Sequence, residues 1–363
     1  MKVVFDAYWW TAGPPSLRHV LREIVFAWHE NFPDDELILV TRARHPADLG
    51  RLAGSATVRT TALWPQALAA SRAARAVAES ESAELLLTHN YAGRRRSGAS
   101  AIYLHDVLFA TNPEWFTAPE RAYFSFMRRW AARADVVFTS SETEAHRIRQ
   151  HSSAREVVAV GLGLSTELVS GTEEDPDDTL TSGRFLLTVG RLNVRKNLRQ
   201  TVRAAISSGS ISPRTPLVVV GAADGRDEGR APDIDRAIAD GSVVFTGFVS
   251  EARLRWLYRN CALFLFLSLG EGFGMPPVEA SHFGAPVVVS DLPVFRETLP
   301  TRTRFVDPAD TARQAALIRD ALSPARPGTP WTEEPDVAIR HNWTDSVHRI
   351  RERARAGRAT VVR

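Results

Sequence analysis

CALFLFLSLGEGFGMPPVEASHFGAPVVVS, residues 261–290, decides how this chain is read. It opens on the apolar run 261–267 and closes on a second one, 286–290, and both read as buried strands. A glycine-bearing loop and the start of a helix lie between them. Gly272 and Gly274 lack a Cβ, so the backbone there can approach a ligand closely. Pro276 and Pro277 suit a first helical turn, where a missing N–H costs nothing. A helix starting there aims its free N–H groups and positive dipole end at whatever sits beside the loop, which favours an anion. Glu271 falls in the loop, and Glu279, eight positions on, falls about one turn inside the helix. The pattern suits a ligand with hydroxyls at both ends and a phosphate between. A nucleotide sugar has that form.

Working outward, the N-terminal half alternates apolar runs at 2–6, 36–41, 84–89, 101–104, 135–139 and 156–160 with helical patterns at 16–31, 66–80, 118–133 and 141–150. Near-continuous β-branched strands separated by helices predict a parallel sheet covered on both faces. Residues 170–183, SGTEEDPDDTLTSG, are acidic, small and aperiodic, and read as a linker. Strand patterns then restart at 184–190, 216–221, 243–246, 261–267, 286–290 and 303–306. The expected fold class is α/β, with two Rossmann-like, doubly wound domains facing a cleft. The expected division is 1–169, the linker 170–183, 184–323, and a tail 324–363 that is proline-rich and then helical, packing back toward the N-terminal domain. Ligands of such sheets bind outside the carboxyl ends of the strands.

Composition narrows the classes. With 45 basic against 42 acidic residues and no long one-signed span, the chain gives no argument for nucleic acid. Arg94–Arg96 reads as a solvated loop. The single cysteine, Cys261, excludes an internal disulfide and reads as a buried structural thiol. MKVVFDAYWW contains Asp6 and lacks a cleavage site, and no apolar stretch reaches the length of a membrane span. A cytoplasmic protein is the expectation. Lys2 and Lys196 are the only lysines in an arginine-rich chain, so a lysine kept at 196 points to a need for a compact point charge. Arg191 and Lys196 both follow the strand 184–190 in TVGRLNVRKN, and two cations at a strand end can offset charge growing on a diphosphate leaving group.

The ordered set VGRLNVRKN, VVFTGFVSEARLRWLYRNCALFLFLSLGEGFGMPPVEA and GAPVVVSDLPVFRE resembles the family 4 retaining glycosyltransferases of the GT-B fold, also called glycosyl transferases group 1. The resemblance covers the C-terminal half. It implies that Arg191 and Lys196 contact the donor diphosphate and that Glu271 binds donor-sugar hydroxyls near the reacting carbon. It further implies that Glu279 binds the ribose, while the backbone of Gly272, Phe273, Gly274 and Met275 assists the sugar and phosphate. Leu267 stands where the family commonly has proline, and ASHFG replaces its AMACG-like segment. The acceptor-side N-terminal half matches more weakly. In AGPPSLRHVLREI, residues 12–24, Gly13 and Ser16 are the candidate phosphate or acceptor contacts, although the family's glycine pair is missing. In IYLHDVLF the resemblance puts His105, followed by Asp106, beside the donor sugar near the anomeric carbon. Arg18 and Glu142 are weaker site candidates.

The implied reaction is a retaining, front-face transfer of a hexosyl unit to a glycan or lipid-linked acceptor, in cell-surface polysaccharide or glycoconjugate synthesis. The donor leans to GDP-mannose or a rhamnose donor. No metal is expected: the acidic strings 175–178 and Asp233/Asp235 read as solvated surface. A dinucleotide-binding dehydrogenase is disfavoured, because VAVGLGLS and VVVGAADG lack the three-glycine fingerprint. Two alternatives keep the fold: a non-catalytic nucleotide-sugar-binding subunit of a glycan assembly complex, and a sugar-nucleotide epimerase. The segment 115–133 mixes aromatic residues with arginines and is a candidate for peripheral contact with the inner face of the plasma membrane; its simpler reading is an amphipathic core helix.

Overall fold

A computed structural model describes residues 1–43, 49–174, 180–190, 194–221, 232–322 and 335–361. The chain divides into two compact units, Met1–Gly163 with His341–Arg363, and Leu164–Arg340.

The first unit is built on seven parallel strands: β1 (Lys2–Asp6), β2 (Glu36–Arg42), β3 (Ala56–Thr61), β4 (Leu85–His89), β5 (Ala99–Tyr103), β6 (Val136–Thr139) and β7 (Val157–Ala159). Their order is β3-β2-β1-β4-β5-β6-β7. The central strands are apolar on both faces because helices cover both; Val3, Val4, Phe5, Leu85, Leu86 and Leu87 are fully buried. The helix Pro15–Asn31 turns Val20, Leu21, Ile24, Val25 and Trp28 inward, and Trp28 meets Phe5 edge-on at 5.7 Å.

The helix Trp343–Val361 completes this unit from the far end of the chain. Arg351 donates from Nε and Nη2 to Asp35 at 3.0 and 2.8 Å, and its guanidinium lies 4.2 Å from the Phe32 ring centroid. Phe32 also meets His348 at 4.8 Å, and Arg353 pairs with Glu156. Gly163 allows the approach, since a Cβ there would fall 2.4 Å from Trp343 Cδ1.

The second unit carries six parallel strands: β8 (Leu186–Val189), β9 (Leu217–Val220), β10 (Val243–Gly247), β11 (Leu263–Phe266), β12 (Val287–Ser290) and β13 (Arg304–Val306). They are ordered β10-β9-β8-β11-β12-β13. Leu186, Val202, Leu217, Val219, Leu263, Leu265, Val288 and Ile318 form its core. The short helix Thr166–Ser170 belongs here, tied by Ser165 Oγ donating to Glu251 Oε2 at 2.7 Å and by Arg255 donating to Leu168 O at 3.0 Å.

Two departures from the sequence expectations are physical. β3, ATVRTT, is an additional edge strand with mostly polar, half-exposed residues, so it has no apolar run to reveal it. The helical pattern at 66–80 is three segments, Gln66–Leu68, a π-helical Ala69–Ala74 and Arg75–Ser80. Cys261 is buried at the head of β11, its thiol donating to Tyr258 O at 3.5 Å, and burial pushes its pKa up. Residues 175–178 lie outside the described residues. Asp233 and Asp235 occupy the first turn of the helix Pro232–Ala239, where the helix dipole favours them. Among the described residues no group of three or more His, Cys, Asp or Glu is arranged to hold a metal ion, and no helix is long and apolar enough to cross a membrane. In the helix Ala118–Trp130 only Met127 is buried, and Phe126 is exposed.

Candidate functional site

In each sheet the strand order reverses direction at its first strand. In the second unit the reversal lies between β8 and β11, which are direct neighbours. The loops leaving these two strands carry the sequence-predicted residues, as the switch-point rule requires.

The turn after β8 ends in the short segment Val194–Lys196, followed by Asn197 in the left-handed region at φ 52°. Asn197 Nδ2 donates to Leu267 O at 3.0 Å, and Leu269 N donates to Arg195 O at 2.8 Å, so the two loops are laced together. Across this lacing Lys196 Nζ donates to Glu271 Oε1 at 2.8 Å, while Arg195 Nη1 donates to Glu271 Oε2 at 2.6 Å and to Gly270 O at 3.0 Å. Lys196 also lies 4.6 Å from the Phe266 ring centroid. Burial pushes the Glu271 carboxyl up, but Arg195 and Lys196 outweigh it and hold the group below its ordinary range. Glu271 is therefore an ionised carboxylate with a cation on each oxygen. Arg195 was missing from the sequence reading, although it adjoins Lys196; Arg191, chosen there, lies outside the described residues.

The helix Met275–His282 starts from Gly274, whose φ of 93° is left-handed. A Cβ at Gly274 would fall 2.4 Å from Phe295 Cε1, and Thr298 Oγ1 donates to Phe273 O at 3.3 Å, so the loop is clamped on its buried side. Gly274→Ala is expected to cost about 1–3 kcal/mol through strain and clash. A fall in thermal midpoint of several degrees checks this, and an unchanged midpoint would count against it. Glu279 accepts from Tyr258 Oη at 2.8 Å, a partner 21 residues away that no local pattern marks. Burial pushes Glu279 up to about 7 in spite of that bond.

In the first unit the reversal lies between β1 and β4. Asp6 ends β1 and His89 ends β4, both about 2% exposed. Asp6 accepts from Tyr8 N and from Gln66 Nε2, each at 3.2 Å, and more weakly from His89 N at 3.5 Å. Burial pushes Asp6 up to about 7. His105 follows β5 and sets its Nε2 3.3 Å from His89 Nδ1. Burial, with a smaller contribution from His89, holds His105 well below the usual histidine range. The turn after His105 is fixed by Glu144, which accepts from Val107 N at 2.9 Å, while Asp106 accepts from Leu108 N at 3.2 Å. Glu142 is exposed and lies 3.7 Å from Arg149, so the carboxylate that reaches this turn is Glu144. Gly13 and Ser16 stand at the entry to the helix Pro15–Asn31, both outside the core, and Arg18 donates to Thr11 O at 3.3 Å.

Asp6 makes stability pH-dependent with a definite sign. Its carboxyl holds a proton in the folded protein up to about pH 7 but loses it in the unfolded chain near 3.8, so stability falls as pH rises through that window. Asp6→Asn cannot titrate. Relative to the unsubstituted protein it is expected to gain on the order of 3–4 kcal/mol between pH 4 and pH 8, by urea unfolding at both. A pH-independent difference would contradict the assignment.

Comparisons with known proteins agree with this geometry. The family model described as glycosyl transferases group 1 matches residues 172–327. Over 239 residues the chain is 25% identical to the serotype-specific mannosyltransferase WbdA of Escherichia coli, covering 60% of this chain and 28% of WbdA. Over 214 residues it is 26% identical to the GDP-mannose:cellobiosyl-diphosphopolyprenol alpha-mannosyltransferase of Xanthomonas oryzae pv. oryzae, covering 55% of this chain and 54% of that protein. The chain thus spans about a quarter and about half of these relatives' lengths. The crystal structure of HepE from Anabaena in complex with UDP-glucose shares the fold, with a TM-score of 0.67 at 17% identity over 98% of this chain and all of that one. Residues 172–327, which carry the second sheet and the cation–carboxylate cluster at its switch point, thus match the glycosyl transferases group 1, and the chain's two Rossmann-like sheets have the GT-B fold.

Proposed function

We propose that this chain is a retaining glycosyltransferase. It moves a hexosyl unit from a nucleotide-diphosphate sugar to a glycan or lipid-linked acceptor in cell-surface polysaccharide synthesis. The observation that carries the reading is the trio Arg195, Lys196 and Glu271 between the loops leaving β8 and β11, beside a helix that starts on Gly274. Mannosyltransferase relatives, one named for GDP-mannose, support a GDP-mannose donor.

The roles follow from charge. The bond from the anomeric carbon to the β-phosphate oxygen breaks, an acceptor oxygen bonds to that carbon on the same face, and the acceptor's proton passes to the departing phosphate. Lys196, with Arg191, offsets charge growing on that phosphate. Glu271, kept ionised, accepts from sugar hydroxyls. Glu279 accepts from the ribose hydroxyls, and the amides of Phe273, Gly274 and Met275 face the sugar and phosphate. His105, Gly13 and Ser16 serve the sugar and acceptor side. No step requires a metal. Peripheral membrane contact, through exposed Phe126 and the arginines of the helix Ala118–Trp130, is part of the proposal and suits a lipid-linked acceptor.

A panel of nucleotide sugars screened by thermal shift, followed by transfer assays with labelled donor, tests the reading. GDP-mannose is expected to raise the midpoint most, since a ligand held only by the folded state stabilises it. Absence of any shift across the panel would refute the proposal. Interconversion of the free nucleotide sugar without an acceptor would favour an epimerase.

A further inference from the structure

His89 is a buried residue that the mechanism above leaves unused. It ends β4 in register with Tyr103 of β5. Its carbonyl accepts from Gln66 Nε2 at 3.1 Å and from Tyr91 N at 2.8 Å, so its backbone is fixed from two sides. Its ring is boxed by Tyr103 at 5.8 Å and by His105, stacked at 5.5 Å, and those two rings meet at 5.0 Å. The imidazole is therefore packed between two rings on a backbone held in place.

His89 Nδ1 and His105 Nε2 are 3.3 Å apart, so one nitrogen donates and the other accepts. If His105 Nε2–H donated, the His89 proton would sit on Nε2. That atom is buried and has no hydrogen-bond partner among the described residues. A buried N–H without an acceptor is rarer than a lone pair without a donor. The favoured arrangement has His89 Nδ1–H donating to His105 Nε2, which leaves His89 Nε2 as the bare lone pair. The remaining proton of a neutral His105 then lies on Nδ1. Burial pushing both rings toward neutrality agrees with this, His89 down to about 3.

We propose that His89 is a positioning residue that locks His105 as its neutral Nδ1–H tautomer, and so as a hydrogen-bond donor. This rests on the reading that His105 faces the donor sugar: a neutral donor there binds a sugar hydroxyl oxygen and neither takes nor gives a proton during transfer. The second imidazole supplies tautomer selection, the task often given to a carboxylate or a carbonyl.

Long-range 1H–15N correlation spectra of histidine-labelled protein test the tautomer without any donor. His105 is expected to show a protonated Nδ1 and an unprotonated Nε2 in the unsubstituted protein. It should move toward Nε2–H in His89→Leu and stay in place in His89→Asn, whose amide N–H can stand where Nδ1–H stood. Turnover should fall about 10-fold in His89→Leu, with donor KM changed less, and stay within about threefold in His89→Asn, a scale typical of losing a partner that orients a site residue. An Nε2–H tautomer at His105 in the unsubstituted protein overturns the proposal, even if the variants fail to fold. A tautomer or a turnover unaffected by His89→Leu overturns it too. The expected tautomers with no transfer from any nucleotide sugar would refute the glycosyl-transfer reading and leave the His89–His105 coupling standing.

Discussion

Lys196→Ala should lower turnover about 10²–10³-fold, the usual cost of one preorganised electrostatic contact to developing charge. The geometry separates this loss from a folding defect. Glu271 keeps Arg195 on its other oxygen at 2.6 Å, so the substitution leaves no buried carboxylate unpaired. The lacing of the two loops uses Asn197 Nδ2 and the Arg195 carbonyl, neither of which depends on the lysine side chain. The thermal midpoint should thus change by only a few degrees while the rate collapses. Lys196→Arg is a stricter test: the charge is restored, but the flat guanidinium does not reproduce a compact ammonium over Phe266, so recovery should be partial. A purified Lys196→Ala protein with near-normal turnover would remove the assigned role.

The largest stability effect should come from Asp35→Ala, at about 3–5 kcal/mol, the range for breaking a buried ion pair from one side. The Asp35 and Arg351 side chains are 2% and 18% exposed. Asp35 also accepts from Trp28 Nε1 at 3.1 Å, so its loss strands an indole N–H as well as the guanidinium. A double-mutant cycle with Arg351→Ala separates the two contributions, because the guanidinium's contact with Phe32 is lost only in the arginine variant. Urea unfolding that shows less than about 1 kcal/mol for Asp35→Ala would contradict a stabilising role for the pair.

Legibility varied with the range of the forces involved. β1, β4, β8, β9, β11 and β12 announce themselves because burial on both faces forces apolar runs such as Leu85–Leu87 and Leu263–Phe266. The helix at Met275 was readable because Gly274, Pro276 and Pro277 each satisfy a local backbone demand. β3 was not, since an edge strand needs no continuous apolar face. In the candidate site, Glu271, Glu279 and Lys196 are chosen from the sequence as residue types at fitting places. Their partners were a harder matter: Arg195 sits 76 residues from Glu271, Tyr258 reaches Glu279 from another helix, and His89 meets His105 only because β4 and β5 are adjacent. Strand order creates those pairings, and no local pattern encodes strand order. Asp35 and Arg351, 316 positions apart, are the extreme case.

That last separation bears on how the chain matures. The strands β1 through β7 are synthesised before the second unit, yet the helix that seals their sheet is synthesised only after it. Leu164–Arg340, being continuous, has all its own residues available before that helix exists. A nascent chain stalled before residue 341 should therefore protect its later-made half from protease and leave its earlier-made half open to cleavage, reversing the usual order of acquisition.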